Sequence, residues 1–199
     1  MKKGLVILLF GGGVFCLMYG GWQLLSSTMA QNITLDQARS VVAANVPENK
    51  HKSGSAPNDF QPEMNEVIGI LGIPKLEAEL PIVEGTDEDH LEKGVGHYRG
   101  TAFSGQNDQI VLSGHRDTVF RNFGQLEIGD EVIIEMNYGT FTYVIQETEI
   151  VDADDRTVIR STAPNEILTL TTCYPFSYIG SAPERYIVYA SPVFEQEVD

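Results

Sequence analysis

The sequence is poor in cysteine and in positive charge. Its 199 residues include two cysteines, Cys16 and Cys173, and 13 lysines and arginines against 28 aspartates and glutamates. Two cysteines exclude a small domain held together by several disulfides and a cysteine-rich zinc module. A net charge of −15 argues against a nucleic-acid partner, because phosphate binding needs a basic face. The sequence also shows no internal repeat and no EF-hand spacing.

One long hydrophobic run is present near the N-terminus. Lys2 and Lys3 precede residues 4–25, a stretch of 22 residues without a charge. A helix of that length spans about 33 Å, enough for the hydrocarbon core of a bilayer. The two lysines predict a cytoplasmic N-terminus and an extracellular location for the rest of the chain. The alternative is a signal peptide cleaved after Ala30, but the run exceeds the usual apolar region of such peptides, so we predict an uncleaved signal-anchor.

This topology changes the meaning of the charge and of the cysteines. All 28 acidic residues and 11 of the 13 basic ones follow Ala30, so the exported part carries a net charge of −17. Cys16 falls within the predicted membrane span, which leaves Cys173 alone outside. A single exported cysteine is buried and inert, paired between molecules, or kept as a reactive thiol.

The pattern divides the chain into a tip, an anchor, a stalk and one folded domain. We predict a cytoplasmic tip at 1–3, the transmembrane segment at 4–25, a stalk and linker at 26–62 and a folded domain at 63–199. Within the stalk, Thr34 and Gln37 suggest a capping box before a short helix over 35–45. The polar stretch 47–62 is typical of a flexible linker.

From Val67 onward the pattern is that of short strands. They are rich in Val, Ile, Thr and Tyr and are separated by Gly, Pro, Asn and Asp. The predicted strands cover 67–73, 80–83, 109–113, 131–136, 139–151, 166–172 and 185–191, with a hairpin turn at 137–139 and a helix over 87–93 capped by Thr86 and ended by Gly94. So many strands with so few helices predict a mainly β domain, closed or sandwich-like, rather than βαβ units.

Cys173 lies at the end of one of these strands. The two-residue period of a strand places Thr169, Thr171 and Cys173 on one face, and Pro175 ends the pattern just afterwards. A side chain at a strand exit is held rigidly while its far side stays open. The alternative is an ordinary buried thiol, because free cysteine packs as a small hydrophobic residue.

Two further residues have a similar position. His115 follows the predicted strand 109–113, where an imidazole can exchange protons with a thiol or a leaving group. Arg185 begins the last predicted strand, where its fixed, permanently charged donors can stabilise an oxyanion. The alternatives are a loop histidine bonded to its neighbours and a surface arginine paired with Glu184 or another carboxylate.

Taken together, these segments resemble the sortases, the cysteine transpeptidases of Gram-positive surfaces. The run Thr-Leu-Thr-Thr-Cys at 169–173 is similar to the family's T-L-x-T-C signature. The stretches 94–101 and 113–118 resemble its two histidine-containing segments, and Arg185 resembles its arginine on the last strand. The resemblance covers about 67–193 and is strongest to the class D sortases of spore-forming bacilli. The sequence shows no Asp-Pro-Trp lid segment of the kind found in the pilin-polymerising class. The resemblance implies a closed sortase-type β-barrel of about eight strands with one or two short helices.

The resemblance also implies roles for individual residues. Cys173 would attack the carbonyl after threonine in an LPxT-type sorting signal and form a thioacyl enzyme. His115 would protonate the departing amine and then deprotonate the incoming amine of a cell-wall precursor. Arg185 would bind the threonine region and the developing oxyanion, with Thr172 and Thr171 supporting substrate or oxyanion binding. His97, the competing histidine, is assigned to loop support.

The implied partners are surface proteins that carry an LPxTG- or LPNTA-like signal and a peptidoglycan precursor, with a diaminopimelate stem peptide as a plausible amine donor. No cofactor is expected. The acidic clusters 87–89 and 152–155 raise the question of calcium, which some sortases use, but neither has a recognised calcium-loop spacing. The alternative functions are a hydrolytic cysteine peptidase and a non-enzymatic, membrane-anchored surface domain that binds wall polymers or peptides.

Overall fold

The computed structural model describes residues 2–44, 60–177 and 180–193. It contains two α-helices, α1 and α2, eight strands, β1 to β8, and two short 3-10 helices. In chain order these are α1 Lys2–Ala43, β1 Val67–Ile73, the 3-10 turn Pro74–Leu76, β2 Ala78–Glu84, α2 Glu88–Leu91, β3 Val95–His97, β4 Gln109–Ser113, the 3-10 turn Phe123–Gln125, β5 Glu131–Met136, β6 Gly139–Asp152, β7 Ile167–Tyr174 and β8 Glu184–Pro192.

The eight strands close into a barrel in the order β1-β2-β3-β4-β7-β8-β6-β5. Two neighbouring pairs, β2 with β3 and β4 with β7, are parallel, and the others are antiparallel. Closure pairs every strand on both sides, so the barrel has no free edge at which another chain could add. The predicted closed, mainly β fold is confirmed.

The barrel interior is filled by alternate side chains of the strands. In β5 and over residues 141–145 of β6 the buried positions alternate with more exposed ones, as the two-residue period of a half-buried strand requires. The interior is apolar and includes the fully buried residues Leu71, Leu112, Ile134, Tyr143, Ile145, Leu168 and Leu170. This packed interior makes the barrel a rigid frame, so chemistry has to take place at its rim or outer face.

Most predicted strand boundaries agree with the structure, and one strand was missed. The predictions 67–73, 109–113 and 131–136 coincide with β1, β4 and β5, and the hairpin turn falls between Met136 and Gly139, which pair with each other. The missed strand is β3, only three residues long. The predicted cap Thr86 is also wrong, because Asp87 occupies the N-cap position of α2 and the helix ends at Leu91 rather than near Gly94.

The N-terminal helix is longer than predicted and reaches the barrel. The predicted short helix over 35–45 is the last part of α1, and Thr34 donates a hydrogen bond to the Ala30 carbonyl at 2.8 Å. The predicted capping box is therefore wrong, because Thr34 lies inside a helix rather than at its start. Ala38 is fully buried against β1 and β2, and Arg39 forms an ion pair with Glu79 at 2.7 Å.

The predicted anchor segment 4–25 lies within α1. Over the residues described, no helix combines the length and the apolar character that a membrane crossing requires. Of the predicted linker 47–62, positions 47–59 lie outside the described residues.

Candidate active site at the ends of β4, β7 and β8

Three neighbouring strands bring the predicted site residues to the same region of the barrel. In the antiparallel pair of β7 and β8, Cys173 lies directly opposite Arg185. In the parallel pair of β4 and β7, Ser113 lies opposite Thr171. His115 and Cys173 each follow these partners by two residues, so the two chains leave the ladder side by side. Residues far apart in sequence, 115, 173 and 185, therefore converge.

The strand β7 presents Cys173 away from the barrel interior. Leu168 and Leu170 are fully buried inside the barrel, whereas Thr171 and Cys173, which alternate with them, are partly exposed. Cys173 forms no disulfide. The backbone of Cys173 is therefore held by its pairing with β8, two residues beyond the last β4 pair at Thr171, and the residue is still partly exposed. These features favour a reactive cysteine over the buried, inert alternative.

His115 is fixed through its backbone rather than its ring. The preceding Gly114 donates to the Thr171 carbonyl at 3.1 Å, and the Gly114 carbonyl accepts the buried hydroxyl of Thr172 at 2.7 Å. The His115 carbonyl in turn accepts the Phe120 amide at 3.0 Å, which closes the turn. These contacts fix the backbone around His115, while its half-exposed ring has no hydrogen bond within the described part of the chain.

A glycine is required directly before His115. A Cβ at position 114 would lie 2.6 Å from the ring of Phe120 and 2.8 Å from Val119. Phe120 is fully buried, so the ring cannot move aside without disturbing the core. The close approach of this turn to the core explains why the sequence places Gly between Ser113 and His115.

Only one nitrogen of the Arg185 guanidinium donates hydrogen bonds to described residues. One of its terminal nitrogens, Nη1, donates to the carbonyls of Ala182 at 3.3 Å and Glu184 at 2.9 Å. Within the described residues no carboxylate lies close enough to form an ion pair with it. The alternative of a surface arginine paired with the Glu184 carboxylate is therefore not what the structure shows. No acceptor among the described residues bonds to the other N–H groups of the guanidinium, so they are available to an external oxygen.

The two threonines before Cys173 differ in their surroundings. Thr171 is partly exposed on the face that carries Cys173, whereas Thr172 is buried and points to Gly114. The hydroxyl of Thr172 therefore ties the cysteine strand to the histidine segment. It is not directed to the face on which Cys173 lies.

His97 occupies a different environment from His115. It is buried in β3, with its Nδ1 2.6 Å from a carboxylate oxygen of Glu84 and its Nε2 3.0 Å from the Ala102 carbonyl. Nε2 also lies 3.2 Å from the Thr101 hydroxyl. The ring also stacks on Phe103 at 4.3 Å. Nδ1 thus contacts the end of β2 while Nε2 and the ring face hold the 101–103 loop, so the buried side chain is occupied by structural contacts.

The acidic clusters 87–89 and 152–155 bear on the question of calcium. Among the residues that the structure describes, no three His, Cys, Asp or Glu side chains are arranged to hold a metal ion. In the 152–155 cluster, the Asp155 carboxylate instead accepts the amide and hydroxyl of Thr157, at 2.8 and 2.7 Å. These hydrogen bonds lower the pKa of Asp155 below its usual range.

One residue of this region was missed by the sequence interpretation. Arg116, directly after His115, donates to the carbonyls of Pro175 at 3.1 Å and Gly180 at 2.9 Å, in the loop between β7 and β8. The only signal in the sequence is an arginine at the exit of an uncharged strand. Nothing in that signal shows which loop the arginine reaches.

Comparison with known proteins agrees with this architecture. Residues 71–193 match the sortase domain family. Sortase D of Bacillus subtilis (strain 168) is 48% identical over 199 residues, which cover 97% of this chain and all of that protein. This relative agrees with the class D resemblance noted in the sequence.

Solved structures are similar as well. A sortase D5 transpeptidase from Clostridium perfringens is 25% identical, with a TM-score of 0.68 over 83% of this chain and 99% of that one. A sortase A from Corynebacterium diphtheriae is 25% identical, with a TM-score of 0.61 over 85% and 86%. The chain therefore belongs to the sortase family, the cell-surface transpeptidases that act on proteins carrying sorting signals and on cell-wall precursors.

Proposed function

We propose that this sortase cleaves an LPxT-type signal after its threonine, through a thioacyl intermediate on Cys173, and transfers the protein to an amine of a cell-wall precursor. The observation that supports this proposal is the strand register. It sets Cys173 opposite Arg185, while His115 leaves the adjacent parallel strand at the same level. The register thereby supports the assignment of a nucleophile, a proton carrier and a cationic donor at neighbouring strand ends, the three groups that acyl transfer requires.

The chemistry assigned to these residues proceeds in two steps. The Cys173 sulfur bonds to the threonine carbonyl carbon, and negative charge develops on the oxygen, which the free N–H groups of Arg185 stabilise. His115 donates its proton to the departing amine, and the C–N bond breaks to leave the thioester. In the second step His115 removes a proton from the incoming amine, which attacks the thioester and releases the thiolate.

The finer assignments rest on the N-terminal hydrophobic run and on the family resemblance. We propose that residues 4–25 anchor the chain in the membrane, with the N-terminus inside and the barrel outside. We also propose that no metal is needed, that the signal is LPxTG- or LPNTA-like, and that a diaminopimelate stem peptide is a candidate acceptor. Thr171, on the Cys173 face, is the second candidate contact for the substrate.

The test uses the full-length protein in detergent with LPxTG and LPNTA peptides, with and without a diaminopimelate-containing stem peptide. We expect an acyl adduct on Cys173 by mass spectrometry and an amide product when the amine is present. C173A and H115A should each abolish the acyl adduct and the amide product while unfolding at the same temperature as the wild type. C16A is the matched control, because Cys16 lies in α1, away from the barrel strands that carry Cys173.

Three outcomes would contradict parts of the proposal. An unchanged rate in C173A would remove the cysteine mechanism. Release of the free acid at the same rate and yield with or without the amine would identify a hydrolytic peptidase instead. A requirement for calcium, seen as loss of activity in EDTA and recovery on adding calcium, would contradict the assignment of a metal-independent enzyme.

A further inference from the structure

The residue next to His115 connects two segments of the site. The two terminal nitrogens of the Arg116 guanidinium, Nη1 and Nη2, donate to different carbonyls, those of Pro175 at 3.1 Å and Gly180 at 2.9 Å. Both carbonyls belong to the loop that follows Cys173. One side chain therefore joins the turn that carries His115 to the loop that leaves the nucleophile.

The same loop is held at two other points. The ring of Phe176 packs between Tyr174 and Tyr186, with centroid distances of 5.4 and 5.3 Å, and lies so close to Gly124 that a Cβ there would be 2.7 Å away. At the far end of the loop, Arg185 donates to the Ala182 carbonyl. Arg116 supplies the link between these anchored ends and the histidine turn, because its two acceptors lie on either side of Phe176.

The guanidinium suits this task for a physical reason. Its planar fork holds two N–H groups in fixed directions, and a backbone carbonyl can only accept. A lysine ammonium is a point charge on a flexible stem and does not reproduce the fork. The contact is therefore specific to arginine and not merely to positive charge.

We infer that Arg116 is a positioning residue for sorting-signal binding, which fixes the β7–β8 loop against the His115 turn so that Arg185 and Cys173 meet the substrate in one geometry. This inference rests on the proposed function. Cys173 itself is held by the β7 ladder, so its intrinsic reactivity is independent of Arg116. The loss of Arg116 should therefore weaken peptide binding far more than it slows reaction of the thiol with a small reagent.

The experiment compares R116A, R116K and the matched control R121A in the full-length protein. Arg121 lies in the same turn, but its guanidinium bonds only to the Asp117 carbonyl of that turn, at 3.0 and 2.7 Å. We measure KM and kcat with the peptide that the wild type uses, the rate of iodoacetamide alkylation of Cys173 by peptide mapping, which separates it from Cys16, and the Tm.

We expect R116A to raise KM roughly tenfold, because two hydrogen bonds from a charged donor are lost. The alkylation rate should stay within about twofold of the wild-type rate, since the ladder and not the loop holds the thiol. R116K should recover only part of the loss, and R121A should match the wild type. R116K keeps the test valid if R116A does not fold.

Three results would overturn the inference. They are a KM of R116A within about twofold of wild type, full recovery in R116K, and an equal loss in peptide turnover and alkylation. Absence of turnover in the wild type would instead refute the proposed function and this inference together. Wild-type turnover with an unaffected R116A would refute the inference alone.

Discussion

The buried hydroxyl of Thr172 provides a sensitive test of how the cysteine and histidine segments are joined. This hydroxyl donates a hydrogen bond of 2.7 Å to the Gly114 carbonyl, directly before His115. The residue is 3% exposed. Thr172→Val keeps the β-branching and approximate shape of the side chain and replaces the hydroxyl with a methyl group.

The expected cost follows from burial. The substitution leaves the Gly114 carbonyl without this donor in a water-excluded position, which costs about 1–3 kcal/mol of unfolding free energy. For a chain of this size that corresponds to a fall in Tm of roughly 3–9 °C. The Gly114–His115 turn loses one of its ties to β7, so kcat/KM should fall by about tenfold or more through misplacement of the imidazole.

The assay combines thermal and urea unfolding with peptide turnover and alkylation of Cys173. Thr172→Ser is the matched control, because it keeps the hydroxyl and removes one methyl group. Loss of that buried methyl group costs about 0.8 kcal/mol of unfolding free energy. The serine variant should retain most of the activity. The valine variant should lose activity while its Cys173 alkylation rate stays near that of the wild type.

The reasoning would be refuted by a valine variant that is as stable and as active as the wild type. It would also be refuted if the serine variant lost as much activity as the valine variant. In that case the methyl packing of Thr172, and not its hydrogen bond to Gly114, would be what holds the histidine turn.

Three further predictions concern the scaffold. Tyr143→Phe should cost about 1.5–3 kcal/mol in urea unfolding, because the fully buried hydroxyl donates to Glu166 at 2.7 Å; Tyr138→Phe, whose half-buried hydroxyl bonds to the Ser104 carbonyl at 3.2 Å, should cost clearly less, and equal losses would contradict this. Hydrogen bonds from the amides of Gln109 and Thr162 hold the pKa of the Asp108 carboxyl below its usual range, so its stabilisation is full above about pH 4 and is lost as the pH falls through the native pKa. At neutral pH the wild type should therefore exceed Asp108→Asn by about 1 kcal/mol in unfolding free energy. The corresponding difference in Tm should shrink toward pH 2, and a difference independent of pH would argue against an ionised Asp108. Ala38→Asp, at the fully buried contact of α1 with the barrel, should lower hydrogen-exchange protection of α1 over 31–43 by about tenfold or more and leave β4, β7 and β8 protected; unchanged exchange would show that this contact does not hold the helix.

The local pattern of the sequence predicted the strands well. Strand periodicity and turn residues identified β1, β4 and β5 to the residue, because each is a strand of at least five residues bounded by turn residues. The three-residue strand β3 was missed, since it is too short to show a period. The segment 35–45 was predicted as a separate short helix after Thr34, whereas it belongs to the end of α1, because a capping pattern inside a helix looks the same as one at its start.

The chemistry of the site was visible in part. Cys173, His115 and Arg185 stand out because each lies at a predicted strand boundary, and the resemblance of their segments to the sortase motifs then connected them. The distinction between His97 and His115 needed the resemblance, since both follow a glycine. In the structure the distinction is physical: His97 is 1% exposed with both ring nitrogens bonded, whereas His115 is partly exposed.

The sequence by itself determined the strand pattern and the residues at the strand exits, because these depend on local periodicity and turn residues, and its motifs indicated the family by resemblance. Tertiary structure decided which strands are neighbours, and so which side chains meet. The parallel pairing of β4 with β7 and the pairing of Cys173 with Arg185 result from barrel closure. So do the contacts of Thr172 with Gly114 and of Arg116 with the β7–β8 loop, which span 58 to 64 residues of sequence and leave no local signal.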